Sequence, residues 1–306
     1  MTAALAVHPE VDAALVDGRP VVALESTIFS HLGLPSPANA EALERCLTAI
    51  RAGGAVPAVT AVLDGVARVG IDPADHERIL GPARKVAARD VPVAVGQGWA
   101  FGATTVSAAL LLAGRVGIAV FATGGIGGVH RGVEHSGDVS ADLDAIALAP
   151  VVTVSAGAKV FLDLRRTLEH LETAGVPVLG WRTDTFPAFT VRSSGLVVPH
   201  RVDDADEVAR VVRAGRQLGR SGGTLLVVPV PEAAALPSDE VDAALVSALT
   251  AADAEGITGA AVTPWVLERI AAATEGRSVP ANLALAEHNA AVAAEVAVAL
   301  ARPGGA

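Results

Sequence analysis

Lysine is almost missing from this chain: of 23 basic residues only Lys85 and Lys159 are lysines. A guanidinium keeps its proton, whereas a desolvated amine can release one and then attack a carbonyl carbon. The two lysines are therefore candidates for amine chemistry, the alternative being chance retention on a solvated face. Asparagine is just as scarce, at Asn39, Asn282 and Asn289. Cysteine occurs once, at Cys46, which excludes an internal disulfide or a cysteine-built metal cage and fits a reducing compartment. Positive charge is also short. The formal net charge of -10 argues against a basic face for a nucleic-acid backbone, so no nucleic-acid partner is expected. A small anionic substrate needs only a local cluster of donors.

The first residues, MTAALAVHPEVDAALVDGRP, lack the positive start of a secretory signal, and a cytoplasmic protein is expected. No uninterrupted apolar stretch of membrane length is present. The stretch 106–129 is broken by Arg115 and glycines, and 283–301 carries Glu287, His288, Asn289 and Glu295. A soluble protein without a membrane partner is expected. There is no long polar linker either, so 306 residues, 51% of them hydrophobic, are read as one domain, 1–306, around one large core.

What is present is alternation. Apolar runs at 20–25, 57–63, 91–95, 117–122, 150–155, 176–181 and 223–229 predict strands, and helix-period segments at 37–52, 104–114, 159–174 and 204–218 lie between them. Strands without polar alternation imply burial on both faces. The expected class is α/β, with a mostly parallel or mixed central sheet and helices on both faces. The C-terminal part, 238–254, 264–274 and 281–301, reads as helical, and the tail ARPGGA as disordered.

In such sheets chemistry collects at the carboxyl ends of strands. Glu25 follows the run VVAL: either a surface glutamate in a turn, or a desolvated carboxylate whose raised pKa suits acid catalysis. Lys159 follows VVTVS and the small-residue loop AGA, so its amine emerges at the same edge. The alternative is a lysine in the first turn of a helix, poorly placed against the dipole. The segment FATGGIGGVHRGVEHSGDVSAD (121–142) concentrates glycines that admit an anion with His130, His135, Asp138 and Asp142 as metal ligands or proton carriers, or is an ordinary glycine-rich loop. Its GGIGG lacks the helix and later acid of a dinucleotide site, which excludes a nicotinamide cofactor. In GATTVSAAL (102–110), Thr104 or Thr105 caps a helix whose free N–H groups suit a phosphate, with Lys85 near to neutralise it; a bare capping role is the alternative.

The motifs VVALESTI, ATTV, VFATGGIGGVHRG, EH followed by DVSADL, AGAK followed by LDL, and VPVLGW resemble the pseudouridine-5′-phosphate glycosidase family, also called indigoidine synthase A-like, from about residue 19 to about 298. The resemblance implies that Glu25 is the proton donor, Lys159 the nucleophile and Asp138 the anchor of one manganese ion. It further implies substrate contacts from Lys85, Thr105, Val106, His130, Ser140, Ala141 and Asp142, with Asn282 at a base-contacting position. The implied activity is reversible cleavage of the carbon-carbon glycosidic bond of pseudouridine 5′-phosphate to uracil and ribose 5-phosphate through a lysine Schiff base, in a homotrimer. Two loops, GQGWAFGATTV and HLGLPSP, are each one residue longer than the family form, which bears on base selectivity. A carbon-glycoside-forming enzyme of secondary metabolism keeps the same Schiff base with another acceptor. A non-catalytic sugar-phosphate sensor has no need for both Glu25 and Lys159.

Overall fold

A computed structural model describes residues 4–257 and 262–302. Its strands are β1 (Leu5–Val7), β2 (Val21–Leu24), β3 (Val56–Leu63), β4 (Val66–Val69), β5 (Arg84–Val86), β6 (Phe101–Thr104), β7 (Val120–Ala122), β8 (Val152–Ser155), β9 (Val178–Trp181), β10 (His200–Val202) and β11 (Thr224–Val227). The helices are α1 (Pro9–Val16), α2 (Ala38–Ala52), α3 (His76–Ile79), α4 (Val91–Gly96), α5 (Val106–Val116), α6 (Val133–Ser136), α7 (Ala141–Leu148), α8 (Leu164–Thr173), α9 (Ala205–Gln217), α10 (Ser238–Ala254), α11 (Val262–Ala273) and α12 (Ser278–Ala301).

The strands form one mixed sheet in the order β1-β4-β3-β2-β7-β8-β11-β9-β10, with β6 added on β3 and β5 on β6. From β2 through β7, β8, β11 and β9 to β10 every pairing is parallel. The long β3 joins two regimes: its first half runs parallel to β2, and its second half lies antiparallel to both β4 and β6. Strand β2 shows why the sequence carries no polar alternation. Val21 and Ala23 enter one apolar cluster, which contains Leu110, Ile146 and Val241 of α5, α7 and α10. Val22 and Leu24 enter the other, with Ile50 of α2 and Val292 and Val296 of α12. Side chains two apart share a face, so a strand buried on both sides reads as continuously apolar. The α/β expectation with helices on both faces is met.

Three local readings are corrected. The run VPVAV at 91–95 is not a strand but the helix α4. Val91 and Ala94, three residues apart, are buried, and Pro92 sits in the first turn, where its missing N–H has no helical partner to lose. A five-residue apolar run carries too little period to separate the two states. The strand here is β6, whose last residue, Thr104, lies where the helix was expected to begin; α5 starts at Val106. The strands β1, β4, β5 and β10 went unread; β4, β5 and β10 carry Arg68, Arg84 with Lys85, and His200 with Arg201, which break any apolar run.

The helix expected at 159–174 begins at Leu164, where the Asp163 carboxylate accepts from the Arg166 N–H at 3.0 Å. Lys159 therefore precedes the helix rather than sitting in its first turn. Helix α12 is long and apolar enough by length and composition to cross a bilayer, but it packs against α2, α9 and the central strands, and 61% of its most apolar window is buried within the protein. It is a core helix. Of the tail read as disordered, residues 303–306 lie outside the described residues.

Leu226 of β11 is fully buried in the α12-side cluster. Leu226→Ala should lower unfolding free energy by about 2–5 kcal/mol. Urea denaturation checks this: a lower midpoint with an unchanged slope is expected.

Candidate active site

The chain leaving β2 winds to β3 on one side, and the chain leaving β7 winds to β8 on the other, so the carboxyl ends of the adjacent β2 and β7 open a crevice. Glu25 follows β2 at this point and is buried, with 8% of its surface exposed. The Thr123 hydroxyl, just past β7, donates to its Oε1. Burial pushes the Glu25 carboxyl up to about 7, against the opposing pull of the Lys159 charge and the Thr123 hydrogen bond. Asp142 adds to the rise, and Lys85 opposes it. The raised value expected from the sequence is present.

The backbone around Glu25 is clamped by hydroxyls. Ser26 and Thr104 exchange bonds, Ser26 N–H to Thr104 Oγ1 at 3.2 Å and Thr104 N–H to Ser26 Oγ at 3.0 Å. Thr27 donates to the Thr104 carbonyl at 2.6 Å, and Thr60 donates to the Leu24 carbonyl at 3.0 Å. The backbone on either side of Glu25 is thereby tied to β3 and β6. Buried polar side chains are tolerated where such partners exist.

Lys159 reaches the crevice because the loops after β7 and β8 run side by side. Ala156 N–H donates to the Gly124 carbonyl at 2.9 Å, Ile126 N–H to the Gly157 carbonyl at 3.0 Å, and Lys159 N–H to the Ile126 carbonyl at 3.2 Å. Gly157 has a φ of +77°, and a Cβ there would lie 2.1 Å from the Pro187 carbonyl oxygen. Only glycine makes this turn, and the small residues of AGAK follow from it.

Lys85 approaches from the edge strand β5, opposite Ala103 of β6. The residue is exposed, yet the protein around its amine lowers its pKa. The charge of Lys159 acts in the same direction, and Asp142, Glu25 and Asp138 act against it. Glu25, Lys85, Asp138, Asp142 and Lys159 thus form one charge cluster.

The α5 terminus is arranged differently from the simple phosphate seat expected. Thr105 takes the cap position, but its hydroxyl contacts Ser107 Oγ at 3.0 Å rather than a helix N–H. The acceptor for the Ser107 N–H is Asp142 Oδ1 at 3.0 Å, while Asp142 Oδ2 accepts from the Gly127 N–H at 2.9 Å. A carboxylate is favourable at a helix N-terminus, and this one staples the glycine loop to α5. Val106, the first residue of α5, is buried beside it.

Ser140 caps α7, its Oγ accepting from the Asp142 N–H at 3.2 Å, and Ala141 follows as the first helical residue, exposed. A Cβ on Gly127 would lie 2.2 Å from Ser140 Oγ, so this approach also needs glycine. His130 donates its backbone N–H to the Asp138 carbonyl at 3.0 Å and holds Nδ1 3.7 Å from Asp138 Oδ2. His135 lies exposed on α6, with no bond to Asp138. Among the described residues no three His, Cys, Asp or Glu side chains converge as a metal cage. The donor set at Asp138, one partly exposed carboxylate with His130 beside it, suits a hard divalent ion that keeps most of its water.

Asn282 of α12 faces the β7 loop: its Oδ1 is buried without a hydrogen-bond partner, 3.5 Å from where a Cβ on Gly124 would stand. The sequence reading missed Thr123, the Ser26–Thr104–Thr60 network and Asn289. The first two lie inside motifs already quoted or one strand away, but hydroxyls in apolar strands give no sign of their partners.

The indigoidine synthase A-like protein family matches residues 10–299. A pseudouridine-5′-phosphate glycosidase of Methylobacterium nodulans is 52% identical over 95% of this chain and 87% of its own length. One of Rhodospirillum centenum is 54% identical over 97% of this chain and 93% of its own. Among solved structures, the prealnumycin C-glycosynthase AlnA in complex with ribulose 5-phosphate superposes with a TM-score of 0.90 at 41% identity, covering 97% of both chains. An indigoidine synthase A-like protein from Thermotoga maritima gives a TM-score of 0.87 at 36% identity, again over 97% of both. With the family model matching residues 10–299 and the relatives covering nearly all of the chain, the chain belongs to the indigoidine synthase A-like family.

Proposed function

We propose that this protein is a pseudouridine-5′-phosphate glycosidase that cleaves the bond between ribose C1′ and uracil C5 through a covalent adduct on Lys159. The observation that carries the reading is a buried carboxyl, pushed up to about 7, sharing one crevice with a lysine amine at the ends of β2 and β8. The relatives named above at 52% and 54% identity bear the same activity in their names.

The leaving atom of the base is carbon, with no lone pair to accept a proton, so paired-carboxylate glycoside hydrolysis does not serve. In the proposed sequence the C1′–O4′ bond opens with electrons from the uracil ring as Glu25 gives its proton to O4′, and the Lys159 amine forms a bond to C1′ and returns a proton to the Glu25 carboxylate. Glu25 gives its proton to uracil C5. The C1′–C5 bond then breaks, its electron pair restoring the C5–C6 double bond of uracil while the nitrogen lone pair makes the C1′ iminium. Water adds to C1′, and the lysine leaves with release of ribose 5-phosphate. Run backwards, the same steps join the base to the sugar.

Lys85 faces the anion in this reading, with Thr105, Val106, Ser140, Ala141 and His130 around the sugar phosphate and Asn282 toward the base. Asp142 acts by holding the loop that carries them. Asp138 with His130 would hold a manganese ion, which when bound supplies positive charge to sugar or phosphate oxygens. A homotrimer in the cytoplasm completes the proposal, supported by the family resemblance and the single cysteine. AlnA, at 41% identity, shares the fold and a five-carbon sugar phosphate, which keeps carbon-glycoside formation with another acceptor as the second reading.

Borohydride added during turnover of pseudouridine 5′-phosphate should fix the sugar phosphate to the Lys159 peptide, read by mass spectrometry; an unmodified peptide under turnover contradicts the adduct. Lys159→Arg keeps the charge and should lower kcat by roughly 10³-fold or more, because guanidinium does not deprotonate. Cleavage uses protonated Glu25, whose folded-state pKa stands above the ordinary carboxyl value, so kcat should fall as pH rises through about 7. Glu25→Gln should remove that limb and cost about 10²- to 10⁴-fold, measured as a pH–rate profile.

A further inference from the structure

Asn289 lies on α12, fully buried, outside every motif that marks the crevice. Its Nδ2 donates to the Thr123 carbonyl at 2.8 Å and to the Gly124 carbonyl at 3.2 Å. Both neighbours are acceptors, which fixes the orientation of the amide: nitrogen faces the loop. Its Oδ1 is left buried with no partner.

An unpaired buried acceptor is costly. Helix α12 already packs through Leu283, Leu285, Val292 and Val296, so an aliphatic side chain at 289 would fill the space without that cost. What the amide adds is directional. Thr123, whose carbonyl it holds, is the residue whose hydroxyl donates to Glu25. The Gly124 carbonyl also accepts from Ala156, the first residue of the loop that leads to Lys159. A small cavity lies between these groups, lined by Glu25, Thr123, Gly124, Cys46 of α2 and Ala286 of α12. The Thr123 N–H is held by the Val154 carbonyl at 3.0 Å, and the Asn289 amide holds the residue from its carbonyl side.

We propose that Asn289 is a positioning residue: through the Thr123 and Gly124 carbonyls it keeps the Thr123 hydroxyl on the Glu25 carboxyl. Its catalytic relevance rests on the function proposed above, but the geometry can be tested without turnover. The groups that face Glu25 are Lys159 from the loop after β8, Lys85 from β5 and Asp142 from α7, with Cys46 of α2 across the cavity. None of them is altered by a change at 289. The Thr123 hydrogen bond favours the ionised carboxylate, so its loss raises the pH at which Glu25 titrates.

The test follows the infrared carboxyl band of Glu25, assigned by its disappearance in Glu25→Gln, as pH is varied in Asn289→Ala, Thr123→Val and the double variant. The expected result is an upward shift of the midpoint in both single variants, with the double variant no further shifted than Thr123→Val alone. In turnover, the limb of the pH–kcat profile should move up in the same pattern. A folded Asn289→Ala protein with the wild-type midpoint, or a shift that adds in full to that of Thr123→Val, overturns the proposal. If the alanine variant does not fold, Asn289→Ser is read by the same two outcomes. Because the infrared titration needs no substrate, failure of the positioning role is distinguishable from failure of the glycosidase reading, in which the midpoints shift but no uracil is released.

Discussion

A carboxyl group held away from water beside an amine is the constraint around which this fold is arranged. Glu25 is buried at the end of an entirely apolar strand, and burial outweighs the neighbouring lysine charge in setting its pKa near neutrality. Such a group is costly to hold ionised. It stands because the Thr123 hydroxyl bonds it and because the Ser26, Thr104 and Thr60 hydroxyls absorb the backbone polar groups around it. The crevice is a place where the sheet accepts a local cost that its two apolar faces sustain.

The same logic governs the glycine-rich segment after β7. Gly127 must approach Ser140 and Asp142, and Gly157 must turn against Pro187, so the small residues are demanded by protein–protein contact before any ligand is considered. Asp142 shows how such contact is turned to use. By accepting from both the Gly127 loop and the first turn of α5, one carboxylate joins two segments assigned to substrate binding, and it adds to the field felt by Glu25 and Lys85.

Much of the site was legible because its chemistry depends on residue types that this sequence hardly uses elsewhere. Of two lysines in 306 residues, Lys159 stands just past the apolar run 150–155 and points to the sheet's carboxyl edge without any coordinates. The α/β class was legible for the same reason that the strand directions were not: doubly buried strands are apolar throughout, so they announce burial and conceal register, which is why VPVAV read as a strand and the antiparallel pairing of β3 with β4 and β6 left no trace. Thr123 and Asn289 are illegible by sequence alone. They lie 166 residues apart, and only the packing of α12 on β7 brings them together.

The central claim is that the crevice breaks a carbon-carbon bond at an anomeric centre. Mass spectrometry of products after incubation with pseudouridine 5′-phosphate and manganese tests it most directly. Uracil and ribose 5-phosphate released in equal amounts is the result this account predicts, and intact pseudouridine 5′-phosphate recovered from folded protein is the result that contradicts it.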